Sequence, residues 1–537
     1  MAASATPRVG PRNPYLADSA YPIAHGRCDQ QDNAAVRGPT GPTAVLDEGD
    51  ITYVWVGPGH FGGLISAPYA DGGRVVWSNG RENIVKLDYA TLAPLATLPL
   101  GGAVTPVDEM QAAVRGLDEL DDLGAMLHAG DLARRYLTGL DGVYSLVDRD
   151  NTLFVGLKGG AVAFTDADPS DRASAIVEAR RWVKPPDITG TFVGMNLTFD
   201  GRLVLTTDHG WVVALARDFR TFDALRLPKS EGAAEWCAEQ AARFGHAGYG
   251  WVRKSCCVDE GNGIYVPSRD HLHKVVWTGR SLSLDGADGA WSAPYSNNGG
   301  NGSGTTPSLM GFGDEDRFVV IGDGDRVVNI TLMWRDAVPD DWAGLPGAPS
   351  RRIAGMGRAD MGDGEREDIQ TEQSVTVSGF GAMTVNNDPP TAPEGFPYHL
   401  RRHLPFFLGN RAAFTPHGLH KYRWDPGARS LVADWVNTDV SSPNSVPFVS
   451  QGSDLVYTCG ARDGRWTIEA VDWTTGAEAF HYVVGGSQFN TLGAGVTLDE
   501  EGRLLYGTIF GKVRIDRPAG AQGTAVAGAA SAPVRDA

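Results

Sequence analysis

The sequence predicts an all-β β-propeller, read as eight-bladed with seven blades as the alternative, and carrying short helical insertions. Three observations lead there. A strand–turn–strand–turn–strand unit recurs along the 537 residues, and Asp-Gly and Asn-Gly pairs mark several of its turns. Composition agrees: 69 glycines and 14 tryptophans stand against only 5 cysteines. Antiparallel units repeated at this scale bury a continuous core by stacking around an axis. A solenoid or a set of sandwiches are the competing all-β layouts.

The repeats fall at 64–87, 142–164, 193–215, 255–277, 306–334, 374–424 (with a long insertion), 445–473 and 495–515. In the first, Asp71-Gly72-Gly73 turns the chain into Arg74-Val75-Val76-Trp77. In the second, Asp148-Arg149-Asp150-Asn151 precedes Thr152-Leu153-Phe154-Val155. The third is the clearest, with Phe199-Asp200-Gly201-Arg202 leading into Leu203-Val204-Leu205 and then Trp211-Val212-Val213-Ala214-Leu215. Alternating strand-length runs with such turns are hairpin signals. Residues 46–516 therefore read as one propeller domain. Residues 1–45 read as an extension that closes the ring, and 517–537 as a disordered tail. Apolar residues near helical spacing place a broken amphipathic helix at 109–137 and a second short helix at 231–244. The stretch 336–371 reads as a long polar loop, either a lid or a surface excursion.

A formal charge of −18, with only eight lysines among 47 basic residues and no basic run, argues against a nucleic-acid or anionic-membrane partner. No apolar run reaches 18 residues, and the start has no charged region leading into an apolar one. Five scattered cysteines make no disulfide framework. The expectation is a cytoplasmic protein acting on a small molecule.

In a propeller the starts of the innermost strands converge on the channel although they are remote in sequence. The repeats place these starts at His60, Asp141, Asn196, Lys254, Thr305, Glu372, Asn444 and Asn490. Glu372 is the expected acid/base, its pKa raised by desolvation in the channel. The other expected catalytic residues are Lys254, as charge partner or electrophilic stabiliser, and His60, in a glycine-rich segment that lets a ligand approach the backbone. Thr305, Asn196, Asp208, His209 and His25 are expected to bind substrate. His25 belongs to a polar cluster, with Gln30-Gln31-Asp32, in the N-terminal extension.

Two resemblances add to this reading. Ala470-Val471-Asp472-Trp473-Thr474-Thr475-Gly476-Ala477-Glu478-Ala479-Phe480 resembles the repeat of quinoprotein-type (PQQ-like) propellers, and Leu87-Asp88-Tyr89-Ala90-Thr91-Leu92 is a degraded copy. Elsewhere the strand–Asp-Gly–strand pattern is closer to gluconolactonase-like and strictosidine-synthase-like propellers. Ser442-Pro443-Asn444-Ser445-Val446 resembles a gluconolactonase-like strand start, which implies a divalent cation, calcium or magnesium, held by Glu372, Asn444, Asn490 and Asp141. The quinoprotein resemblance raises a PQQ-dependent dehydrogenase with a Cys256–Cys257 disulfide. The pair is read instead as small core residues at a strand start, and no quinone is expected. The leading expectation is a hydrolase or lyase using acid–base chemistry in the funnel. The alternatives are the quinone dehydrogenase and a non-catalytic scaffold.

Overall fold

The computed structural model describes residues 9–244, 250–397 and 400–516. The tail at 517–537 lies outside the described residues. Eight antiparallel sheets follow one another in the order of the predicted repeats. Blades 1 to 7 occupy 64–99, 145–183, 192–226, 257–294, 308–358, 376–441 and 448–485. Blade 8 combines 497–515 with Ile51–Trp55, which pairs antiparallel with Gly511–Ile515 and so closes the ring. The closing strand thus lies just past the 1–45 extension expected to supply it. Trp55, Tyr53 and Ile51 supply the alternating β-formers that an outer strand needs.

Local chemistry fixes the blades. In the quinoprotein-like repeat, Asp472 Oδ1 accepts both the backbone N–H and the hydroxyl of Thr475, at 2.7 and 2.8 Å. In the degraded copy Asp88 does the same for Thr91, at 2.8 and 3.0 Å. Gly476 takes the left-handed position after the first turn, and a Cβ there would strike the Trp435 ring. Buried ion pairs then stitch neighbours together. Lys86 of blade 1 bonds Asp166 of blade 2, and Arg217 of blade 3 bonds Asp148 of blade 2.

The insertions differ in part from expectation. The helix expected at 109–137 is two α-helices, Val107–Glu119 and Asp122–Leu132, followed by a π-turn segment, Ala133–Leu137. A helix spans Ala233–Phe244, where 231–244 was expected. The stretch 336–371 is not all loop, because Ile353–Arg358 within it forms the outer strand of blade 5. Helix His403–Leu408, inside the blade 6 insertion, packs with the 107–137 helices and with Ile509 and Phe510 over one end of the channel.

The N-terminal extension runs inside the ring. Carbonyls of Tyr21, Pro22, Cys28, Asp29, Gln31 and Asp32 accept the backbone N–H groups of Ile65, Val147, Val258, Leu309, Val377 and Val449, all at 2.8–2.9 Å. Those six donors lie on the inner strands of blades 1, 2, 4, 5, 6 and 7. The same segment reaches blade 3 through Asn13, which donates to Leu197 and Thr198 carbonyls, and blade 8 through Ala20, which donates to Glu500. It continues as Asn33–Ala34 and Ala44–Val45, which pair parallel with the two edges of blade 7. The extension therefore plugs the channel instead of closing the ring. Among the described residues no helix is long and apolar enough to cross a membrane.

Candidate functional site

The plug, the inner-strand starts and the helical cap line a partly open cavity of about 310 Å³ at the channel. Seven of the eight blades bring a residue at or just before an inner strand to its wall: Gly63, Tyr144, Lys254, Thr306, Ser374, Val446 and Thr497. Phe61, Leu140, Phe406 and Leu492 supply its apolar surface, and His25 and Asp32 enter from the plug.

Of the expected residues, Lys254, Glu372 and His25 line this cavity. The Glu372 carboxylate is gripped from three sides. Arg253 Nη2 donates to both oxygens at 2.9 Å, Arg402 Nη1 donates to Oε1 at 2.8 Å, and Lys254 Nζ lies 3.3 Å from Oε2. Asn387 Oδ1 accepts the Glu372 backbone N–H at 2.8 Å, and its amide in turn donates to Ser442 and Pro443 carbonyls. Burial alone would raise the Glu372 pKa, but Arg253, Lys254 and Arg402 outweigh it and push it far below the ordinary carboxylate range. Glu372 is thus a permanent anion, which corrects the expected proton-transferring acid/base. Burial moves Lys254 the other way, lowering its pKa against the opposing pull of Glu372.

His25 and Asp32 form a second polar unit. His25 Nδ1 stands 2.9 Å from both Asp32 oxygens, and the His25 backbone N–H donates to the Tyr21 hydroxyl at 3.0 Å. Burial raises the Asp32 pKa, with His25 opposing the shift. Both residues hold left-handed backbone, with φ of 64° and 57°. For non-glycine residues that is costly and is found where a side chain must be aimed.

The remaining expected residues do structural work. His60 is fully buried between Ser78 Oγ at 2.8 Å and Asn83 Oδ1 at 2.6 Å. Burial and then Lys512 lower its pKa to about 3, so it is a neutral strut and not a catalytic group. A Cβ on Gly80 would fall 2.2 Å from its ring, so Gly80 is what admits the imidazole. Asn196 donates to the carbonyls of Cys28 and Cys256, tying the plug to blades 3 and 4. Thr305 Oγ1 accepts the Gly322 N–H inside blade 5. Asp208 accepts the backbone and hydroxyl of Thr191 in a hairpin, and neither it nor His209 borders the cavity.

The all-oxygen cation site is not assembled. Asn444 and Asn490 both donate to the Phe406 carbonyl at 2.7 Å, and Asn444 also donates to Asn490 Oδ1 at 2.8 Å. Their amides hold the cap helix in place. Asp141 accepts the N–H groups of Gly142 and Lys158, and Glu372 is already surrounded by cations. A divalent ion would have to displace those partners. Among the described residues the one convergence of three metal-ligating side chains is Glu469, Glu478 and His481 on blade 7, and Arg462 already pairs with both glutamates. Cys256 and Cys257 do not pair with each other. Both are buried free thiols, and they point into different inter-blade cores, Cys256 with Leu197 and Val258, Cys257 with Leu309 and Phe312.

Sequence reasoning missed Asp32 as the partner of His25, along with Arg253, Arg402 and Lys512. Arg253 adjoins Lys254 and could have been found from that adjacency. Arg402 comes from an insertion with no periodic signal.

No family model matches the chain. A protein of Archaeoglobus fulgidus, itself uncharacterized, is 28% identical over 514 residues, covering 94% of this chain and 89% of its own. Among solved structures, the quinohemoprotein alcohol dehydrogenase of Comamonas testosteroni superposes with a TM-score of 0.51 at 12% identity, over 97% of this chain and 83% of that one. A europium-containing methanol dehydrogenase gives 0.49 at 12% identity, over 92% and 97%. At such identities the likeness is one of fold: this chain is an eight-bladed β-propeller of the architecture seen in the quinohemoprotein alcohol dehydrogenase.

Proposed function

We propose that the protein is an enzyme for a small organic molecule, performing lyase or hydrolase chemistry by proton transfer in the axial cavity. The observation that carries this reading is the presence of two differently tuned groups in one cavity wall: the His25–Asp32 pair and Lys254. Asp32 engages Nδ1 of His25 and leaves Nε2 as the ring atom for proton exchange. A lysine with a lowered pKa serves as a base or an electrophilic stabiliser. Glu372 holds Lys254 in place and takes no proton. The five unpaired cysteines support a reducing, cytoplasmic setting.

The test is a turnover screen of lactones, esters and β-substituted carboxylic acids. On any substrate found, His25→Gln and Lys254→Met should each lower kcat by about 100-fold or more, with melting temperatures close to that of the wild type. Undiminished turnover in both variants, or inertness toward the whole panel, overturns the proposal.

A further inference from the structure

The ionisable groups around the cavity have the opposite balance to the molecule as a whole. The chain carries a formal charge of −18. Yet the groups that line the cavity, or bond directly to its lining, include four basic side chains, Arg253, Lys254, Arg402 and Lys512, against the carboxylates Glu372 and Asp32. Asp388, 4.0 Å from Arg402, stands one step further out.

Lys512 is the most telling of the four. It is fully buried, and its Nζ donates to the carbonyls of His60, at 2.5 Å, and Gly62. Among the described residues no carboxylate pairs with it. The neighbouring imidazole of His60 is neutral. Gly62 and Gly63 form the cavity wall in front of it, and a Cβ on Gly63 would stand 3.6 Å from the ammonium. A buried ammonium held only by neutral carbonyls is costly unless an anion stands nearby. Lys254 precedes blade 4 and Lys512 belongs to blade 8, so the two lie on opposite sides of an eight-bladed ring. The same cavity is lined by the apolar side chains of Phe61, Phe406 and Leu492.

We infer that the cavity takes a small organic acid, its carboxylate at Lys254 and its apolar body against Phe61 and Phe406, with Lys512 adding positive potential through the Gly62–Gly63 wall. This rests on the proposed function only in using the same cavity, and it names the class of molecule that enters.

The experiment is calorimetric titration of the full chain at about pH 6, where Lys512 keeps its proton, with benzoate, phenylacetate and octanoate, each beside its primary amide as a neutral isostere. At least one carboxylate should bind, with a preference over its amide of tenfold or more. Lys254→Met should abolish that preference, and Lys512→Met should reduce it several-fold. Because Lys512 is buried, Lys512→Gln is made alongside, so that a misfolded variant is recognised by its melting curve and the other is read. The inference fails if no carboxylate binds below about 10 mM, if amides bind equally well, or if the preference survives Lys254→Met. The titration reads binding alone. Carboxylate binding without turnover removes the acid–base proposal and leaves this inference standing, whereas turnover confined to neutral substrates does the reverse.

Discussion

Lys512 shows how one residue couples the site to stability. Burial lowers its pKa to about 7 from an ordinary lysine value of 10.5. Below pH 7 both folded and unfolded chains hold the proton, and the folded state bears the full cost of a buried charge. Between pH 7 and 10.5 the unfolded chain binds more protons than the folded one, so stability rises with pH. A Lys512→Met chain lacks this contribution. Unfolding by urea at pH 6.5, 8 and 9.5 should therefore show the wild type gaining on the variant, by at most about 1.4 kcal/mol per pH unit across the window. Lys254 is present in both chains and cancels in the difference. Parallel pH profiles would mean that the Lys512 ammonium is not desolvated.

At the scale of elements, tryptophans at the ends of third strands clasp the preceding blade. Trp277 of blade 4 donates to Asp200 of blade 3 at 2.6 Å, and Trp424 of blade 6 donates to Asp316 of blade 5 at 2.8 Å. Each aspartate sits in the first hairpin of its blade. Trp424 also packs against Phe318 and Trp334, with ring centroids 4.7 and 5.8 Å away. Trp424→Phe keeps most of that packing and removes the hydrogen bond, and should cost about 1–3 kcal/mol in urea unfolding. An unchanged midpoint would show that the clasp contributes nothing. A tryptophan at or next to the end of the third strand recurs in blades 4 to 7 (Trp277, Trp334, Trp424 and Trp473) and helps make those repeats legible, although Trp334 Nε1 has no hydrogen-bond partner among the described residues. The outer strand Ile353–Arg358 was not legible, because Ile-Ala-Gly-Met-Gly-Arg lacks both alternation and β-branched bulk. Inner-strand starts were displaced by three or four residues in seven blades and by seven in blade 8, where Asn490 was expected and the strand begins at Thr497. Runs such as Phe448–Ser450 are buried on both faces, so period-2 patterning cannot fix their register. Lys254 and Glu372 fell on the cavity wall, whereas His60, Thr305 and Asn444 landed one or two residues short of the lining positions Phe61, Thr306 and Val446.

For the whole molecule, ring and plug behave as separable parts of one cooperative fold. Ile51–Trp55 closes the ring, while 21–34 threads its channel, carrying His25 and Asp32, and the chain then crosses blade 7 to pair Ala44–Val45 with its outer strand. The plug satisfies six inner-strand N–H groups. Each buried donor left without a partner costs about 1–3 kcal/mol, and six together match or exceed the roughly 5–15 kcal/mol by which domains are stable. A chain lacking residues 1–46 keeps its closing strand yet should fail to fold, as read by circular dichroism and gel filtration. Cutting the covalent link is a different perturbation. The turn at Asp47, Glu48 and Gly49 is exposed and lies between plug and closing strand. A protease site placed there should be cleaved in the folded protein, with the plug fragment remaining bound through its hydrogen bonds and its two parallel strands on blade 7. The nicked protein should co-elute as one species and retain whatever ligand binding the intact chain shows, because His25 and Asp32 stay in the cavity. A deletion chain with wild-type circular dichroism and melting temperature would show that the ring stands alone, and the plug would then be an accessory of the site instead of part of the fold.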